Sequence, residues 1–160
     1  MNESRDDILA RAVLARYVAE LFADPDEDWR RRITAAATIA EIRQAARKLG
    51  LPSVDIDQIV ADLPSLDELL EARSRTFGHA VRSQCPPYEM EYQKGEVFQQ
   101  ANALADIAAF YRAFGLEASS GSTERADHFS AEWEFLSVAA WKQAAAPCSN
   151  ASATQRVSRV

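Results

Sequence analysis

The sequence predicts an all-α protein in which residues 1–146 form a single helical bundle. Apolar residues recur along most of the chain at the three- and four-residue spacing of amphipathic helices. No segment shows the sustained alternation of apolar and polar residues between hairpin turns that indicates β-strands. Because 48% of the 160 residues are hydrophobic, the chain can bury one packed core.

Two long helices and a short one are expected in the first third of the chain. The first covers residues 4–23, begins with a serine and an aspartate at capping-box spacing, and stops at an Asp-Pro pair. The second is expected to run without interruption from about Asp28 to Leu49, where a glycine follows. A short helical turn is predicted within residues 55–63.

The next helix is expected to start at Ser65, which forms a capping box with Glu68, and to reach Val81. Residues 82–95, RSQCPPYEMEYQKG, cannot continue it as one helix. The two prolines remove backbone donors and disfavour the α conformation at Cys85. The sequence therefore predicts an irregular, proline-rich insert between helices.

Two further apolar patterns complete the bundle, one from about Glu96 and one near residue 127. The first is expected to end at Gly115 in a Schellman-type turn, with Leu116 folding back on the helix. Asp127 or Thr123 is expected to cap the second helix. Residues 147–160 lose the periodicity and are predicted to form a polar, disordered tail.

The net charge of −6 and a pI of about 5.0 disfavour nucleic acid and anionic membranes as partners, whereas a basic peptide suits this charge. No run of apolar residues is long enough to span a membrane. The charged N-terminus does not resemble a signal peptide, so a cytoplasmic location is expected. Cys85 and Cys148 belong to no zinc-binding pattern, and neither a metal nor a cofactor is expected.

His128 and Glu132 are four residues apart and share one face of a helix. A metal pair or an acid–base pair would need more ligands or catalytic groups than the neighbouring sequence offers. A second interpretation is an ordinary helix start, with Asp127 as the cap and Glu132 facing the histidine. A third is a docking site in which carboxylates bind a guanidinium group.

The stretch CPPYEMEY, residues 85–92, also permits two interpretations. It could cover the core with aromatic rings, as an ordinary proline-containing loop does. It could instead form a rigid wall of aromatic rings and carboxylates, which suits a partly apolar peptide that contains arginine.

Three separated stretches occur in this order: CPPYEMEY at 85–92, ADIAAFYRAFGLE at 105–117 and ERADHFSAEWEFL at 124–136. Together they resemble the TorD/DmsD-type chaperones, which assist the maturation of molybdoenzymes. The third is similar to the family's Glu-Arg-Pro-Asp-His motif, followed by a Glu-x-Glu-Phe-Leu stretch. The Cys-Pro-Pro-Tyr-Glu form looks closest to the branch that serves ethylbenzene-, dimethylsulfide- and selenate-type enzymes.

The resemblance implies an all-α TorD-like chaperone without catalytic activity. Such a protein binds the twin-arginine signal peptide of a molybdoenzyme's catalytic subunit in the cytoplasm. It holds the apoprotein until the client receives its molybdenum bis-molybdopterin guanine dinucleotide cofactor, before Tat export. The positions that match the family's peptide pocket are Asp127, His128, Pro87 and Tyr88, with Glu89, Glu124, Glu132 and Glu134 beside them.

Two positions depart from the pattern of the family. Ala126 replaces the proline of the motif, so the backbone before the helix is less constrained. Family members continue with further helices, whereas the helical pattern of this chain ends near Ala146. We therefore expect the last helices of the bundle to be missing. The apolar faces of helices 96–114 and 127–143 would then be exposed or covered by a second copy in a homodimer.

Overall fold

The computed structural model describes residues 4–52, 55–78, 85–92, 97–117 and 125–146. All regular secondary structure in these ranges is helical, which confirms the predicted all-α class. The α-helices of the described residues are α1 Arg5–Leu21, α2 Glu27–Thr34, α3 Ala36–Lys48, α4 Ile56–Ala61, α5 Leu66–Phe77, α6 Val97–Ala113 and α7 Phe129–Ala145. The predicted polar tail lies outside the described residues.

Helix α1 lies at the centre of the packing and contacts mainly α7 and α3. Its start is the predicted capping box, in which Ser4 Oγ accepts the backbone N–H of Asp7 and the Asp7 carboxylate accepts that of Ser4. The face toward α7 is built from small residues, among them the fully buried Ala12. Ser137 of α7 donates its hydroxyl to the Ala12 carbonyl at 2.9 Å, so the two helices approach closely.

The prediction of one helix from Asp28 to Leu49 is wrong, because Ala35 is extended (ψ 134°) and separates α2 from α3. On one continuous helix, Ile33 and Ile39 would point roughly 120° apart, since each residue turns the helix by about 100°. The break allows both side chains to enter the core, where they are 2% and 6% exposed.

Helices α4 and α5 lie at the margin of the core, and neither contains a buried residue. Helix α5 ends at Phe77, earlier than the predicted Val81, and residues 79–81 lie outside the described residues. Gly78 leaves the helix in a conformation where an added Cβ would collide with the Ser74 carbonyl oxygen. The missing side chain of glycine therefore permits this sharp exit.

Helix α6 ends in the predicted Schellman turn, in which Gly115 has a positive φ of 72°. The N–H of Leu116 donates to the Tyr111 carbonyl at 3.1 Å, and that of Gly115 donates to the Arg112 carbonyl at 2.8 Å. The rings of Tyr111 and Phe135 stack 4.9 Å apart and join α6 to α7. Within the described residues, no helix combines the length and apolar character needed to cross a bilayer.

Candidate functional site

A short backbone bridge joins the proline-rich loop to the start of α7. The N–H of Glu89 donates to the Asp127 carbonyl at 3.0 Å, and the N–H of Phe129 donates to the Pro87 carbonyl at 2.8 Å. Tyr88 and His128 are thereby paired in an isolated antiparallel bridge. The loop then makes the 3-10 turn Glu89–Tyr92. Two segments about forty residues apart in sequence therefore form one local structure, which brings together five of the predicted site residues: Pro87, Tyr88, Glu89, Asp127 and His128.

The Asp127 side chain is fully buried, and it does not cap α7 as the sequence suggested. Its Oδ2 accepts the backbone N–H of Met90 at 3.1 Å, so the carboxylate secures the loop rather than the helix. Arg125 binds both carboxylate oxygens, with Nε 2.9 Å from Oδ1 and Nη2 2.6 Å from Oδ2. Such a bidentate pair neutralises a carboxylate that would otherwise be costly to bury.

His128 takes the capping position that the sequence gave to Asp127 or Thr123. Its Nδ1 accepts the backbone N–H of Ser130 at 3.1 Å and lies 2.6 Å from the Ser130 hydroxyl oxygen. The ring is 1% exposed and meets the Tyr88 ring edge-on, with centroids 5.1 Å apart. One ring nitrogen of His128 is thus engaged in forming the helix start.

Arg125 is a site residue that the sequence reasoning missed. Besides Asp127, its guanidinium contacts the Glu91 carboxylate through Nη1 at 3.2 Å and lies 4.6 Å above the Tyr88 ring centroid. The hydrogen bonds to Asp127, above all, raise the pKa of Arg125. The available signal was the arginine inside the ERADH stretch, two residues before the acid that it neutralises.

Glu132 of α7 interacts with Glu89 of the proline-rich loop. Burial, the charge of Glu89, a hydrogen bond with Glu89 and the charge of Asp127 together raise the pKa of Glu132 to about 7. Near neutral pH Glu132 is therefore protonated for much of the time. Tyr111 joins this group, since its hydroxyl donates to the Ala126 carbonyl at 3.1 Å. Burial and the charges of the same three acids raise the pKa of Tyr111 to about 12.

The two remaining predicted residues do not join this cluster in the described structure. Glu134 is exposed and lies about 200° around α7 from Glu132, since each helical residue turns by about 100°. Glu124 lies outside the described residues. We call the group of Tyr88, Glu89, Glu91, Asp127 and Glu132 the acidic pocket. Arg125 pairs with two of its four carboxyl groups, Asp127 and Glu91, so the charge of the group favours a cationic ligand.

Among the described residues, no three His, Cys, Asp or Glu side chains gather closely enough to hold a metal ion. His128 Nδ1 is engaged at the start of α7, and Glu132 interacts with Glu89. The geometry is suited to binding through charge and aromatic surface.

A groove of about 660 Å³ lies between α1, α2 and α3, with Trp141 of α7 at its side. Ile33 and Ile42 give it an apolar floor. Two arginines of its lining are paired with carboxylates, Arg31 with Asp28 and Arg32 with Glu20 at 3.1 Å, and its three arginines are matched by Glu20, Asp28 and Glu41. Because its charges compensate one another, this groove lacks the preference for a cation that marks the acidic pocket.

A comparison with known protein families relates the chain to one of them. The family model described as the nitrate reductase delta subunit matches residues 32–159, which include the whole acidic pocket. Comparison with curated proteins and with solved structures gave no match. The chain belongs to the nitrate reductase delta subunit family, whose NarJ/TorD-like members are system-specific chaperones for the maturation of molybdoenzymes.

Proposed function

We propose that this chain is a cytoplasmic maturation chaperone that binds the twin-arginine signal peptide of a molybdoenzyme catalytic subunit. The observation that carries the proposal is the acidic pocket, in which carboxyl groups and the Tyr88 ring lie where the proline-rich loop meets the start of α7. A twin-arginine peptide supplies planar cations that match carboxylates in shape and stack on aromatic rings. Membership of the chaperone family supplies the client class.

In this proposal the chain holds the apoprotein until the client has received its molybdenum bis-molybdopterin guanine dinucleotide cofactor, before Tat export. The chaperone contributes binding rather than catalysis and requires no cofactor of its own. The CPPYE stretch favours a client of the ethylbenzene-, dimethylsulfide- or selenate-type branch.

The carboxyl pair of Glu89 with Glu132 is one receptor for a peptide arginine. Glu89 is exposed, so a guanidinium can reach its carboxyl group from solvent, beside the half-buried Glu132. The proton that Glu132 holds near neutral pH leaves when a cation approaches, because a positive charge lowers the pKa of a neighbouring carboxyl group. Tyr88 supplies the adjacent ring, and His128 and Pro87 hold that ring in place through the backbone bridge and the ring contact.

Titration of a fluorescently labelled twin-arginine peptide tests the proposal. We expect saturable binding that is lost when both arginines are changed to glutamine. Equal binding of the two peptides, or no binding of either, would refute recognition of the signal peptide.

A pair of matched variants then places the peptide on the protein. Glu89→Gln is expected to weaken the twin-arginine peptide by about 1–3 kcal/mol, the usual contribution of a charge-assisted hydrogen bond. Glu134→Gln removes the same charge on another side of α7 and is expected to leave the affinity unchanged. Equal weakening by both variants would indicate a general charge effect rather than a pocket.

A homodimer is a second candidate property, favoured by apolar side chains on α6 and α7. Phe110 and Phe114 are 53% and 40% exposed, and Leu136 and Trp141 are 50% and 47% exposed. Faces of this kind are typical of protein interfaces. Sedimentation velocity over a range of concentrations tests this: a concentration-independent monomer would reject the dimer without affecting the peptide proposal.

A further inference from the structure

The guanidinium of Arg125 lies in a place whose chemistry suits any arginine side chain. Three of its nitrogens have carboxylate acceptors: Nε and Nη2 on Asp127, and Nη1 on Glu91. One face of the group lies over the Tyr88 ring at 4.6 Å. Bidentate carboxylate binding combined with ring stacking is the arrangement that distinguishes arginine from lysine.

The groups that bind the guanidinium are held in place more firmly than the arginine side chain itself. Asp127 is fully buried and held by the Met90 N–H, and Tyr88 is held by the backbone bridge to His128. The Arg125 side chain, by contrast, remains 40% exposed. A guanidinium from solvent can therefore approach the same carboxylate and ring from the side on which Arg125 is exposed.

We propose that Asp127, Glu91 and Tyr88 form a guanidinium receptor that Arg125 fills in the free protein, and that an arginine of the bound peptide takes the place of Arg125. The peptide part of this inference rests on the proposed function, whereas the receptor itself does not. The exchange replaces one guanidinium with another, so the buried Asp127 carboxylate keeps a counter-ion throughout. Arg125 then lowers the apparent affinity for the peptide by occupying the receptor.

The receptor is tested with Arg125→Ala and small cations, measured by thermal unfolding. The variant is expected to melt below the wild type, and low millimolar ethylguanidinium is expected to restore part of the loss. Ethylammonium has the same charge without the planar fork and is expected to restore less. Arg112→Ala, which removes another exposed arginine, controls for general salt effects. Equal responses to both cations, or an equal response of Arg112→Ala, would overturn the receptor.

The exchange is tested by peptide titration of the same variant. Removal of the internal occupant is expected to tighten binding of the twin-arginine peptide about ten- to a hundredfold, as for a receptor open in roughly 1–10% of molecules. Unchanged or weaker binding by a folded Arg125→Ala protein would overturn the exchange and leave Arg125 as a positioning residue.

The wild-type protein provides a readout that does not depend on the stability of the variant. The Arg125 Nε–H signal, assigned by its absence in Arg125→Lys, is expected to shift when the twin-arginine peptide saturates the protein. A signal that stays fixed while the peptide binds would refute the exchange. Absence of any peptide binding would instead refute the proposed function, while rescue by ethylguanidinium would still support the receptor.

Discussion

The substitution Asp127→Asn gives the most direct test of the chemistry inside the acidic pocket. The asparagine oxygen can still accept the Met90 N–H, which Asp127 Oδ2 accepts at 3.1 Å. Its amide nitrogen cannot accept a hydrogen bond from Arg125, so at most one of the two hydrogen bonds to the guanidinium can be retained. The substitution therefore weakens the link between residue 127 and Arg125 while keeping the shape and the bond to the loop.

The expected loss of stability follows from the burial of the two partners. A hydrogen bond to a charged group contributes about 1.5–3 kcal/mol, but the two bonds here share one guanidinium. Arg125 is 40% exposed, so water compensates part of its loss, and removal of a buried charge also removes the cost of its desolvation. We therefore expect Asp127→Asn to lower the free energy of unfolding by about 2–3 kcal/mol, or the Tm by roughly 5–10 °C.

Urea unfolding followed by circular dichroism at neutral pH measures this loss through the midpoint, provided that the slope is unchanged. Arg125→Met, which keeps an apolar stem, completes a double-mutant cycle. We expect most of the loss to appear as coupling between the two positions. A change below about 0.5 kcal/mol for Asp127→Asn, or strictly additive losses, would show that the pair contributes no more than a surface ion pair does.

Three further predictions concern other parts of the molecule. Because the folded pKa of Glu132 is raised from 4.5 to about 7, wild-type stability should fall as pH rises through that interval. Glu132→Gln should abolish this fall in urea midpoints and be the more stable form above neutral pH, and an unchanged pH profile would argue against the raised pKa of Glu132. Ser4→Ala should lower stability by about 1 kcal/mol through loss of the α1 capping box, whereas a neutral result would mean that this end of the helix is frayed. Ala12→Leu should destabilise the protein by about 1–3 kcal/mol, because α7 lies against this fully buried position; tolerance would contradict the close packing.

The ends of several helices could be predicted because their physics is local. The capping boxes at Ser4 and Ser65 require only a hydroxyl and a carboxylate three residues apart, and both form as expected. The turn at Gly115 and Leu116 likewise depends on one residue that tolerates a positive φ. Each of these features lies within a few residues of sequence, where spacing is sufficient information.

The break at Ala35 could not be predicted by the same means. Nothing at this position disfavours a helix, since alanine has the highest helix propensity. The chain leaves the helix there because Trp29 and Ile33 before the break, and Ile39 and Ile42 after it, are all buried in one core. The position of this break depends on the packing of α2 and α3 against α1. Tertiary contacts here outweigh the local helix propensity.

Most residue types of the acidic pocket could be predicted from the sequence, but the contacts between these residues could not. The motif contained the right residue types, yet the bridge between Tyr88 and His128 joins positions forty residues apart, which no spacing rule connects. The interpretation of Asp127 changed most, because its carboxylate is already satisfied by Arg125 from the same motif. A motif that brings its own counter-ion already satisfies part of its charge. What this chain offers to a cationic ligand is the place that Arg125 itself occupies, beside the pair of Glu89 with Glu132.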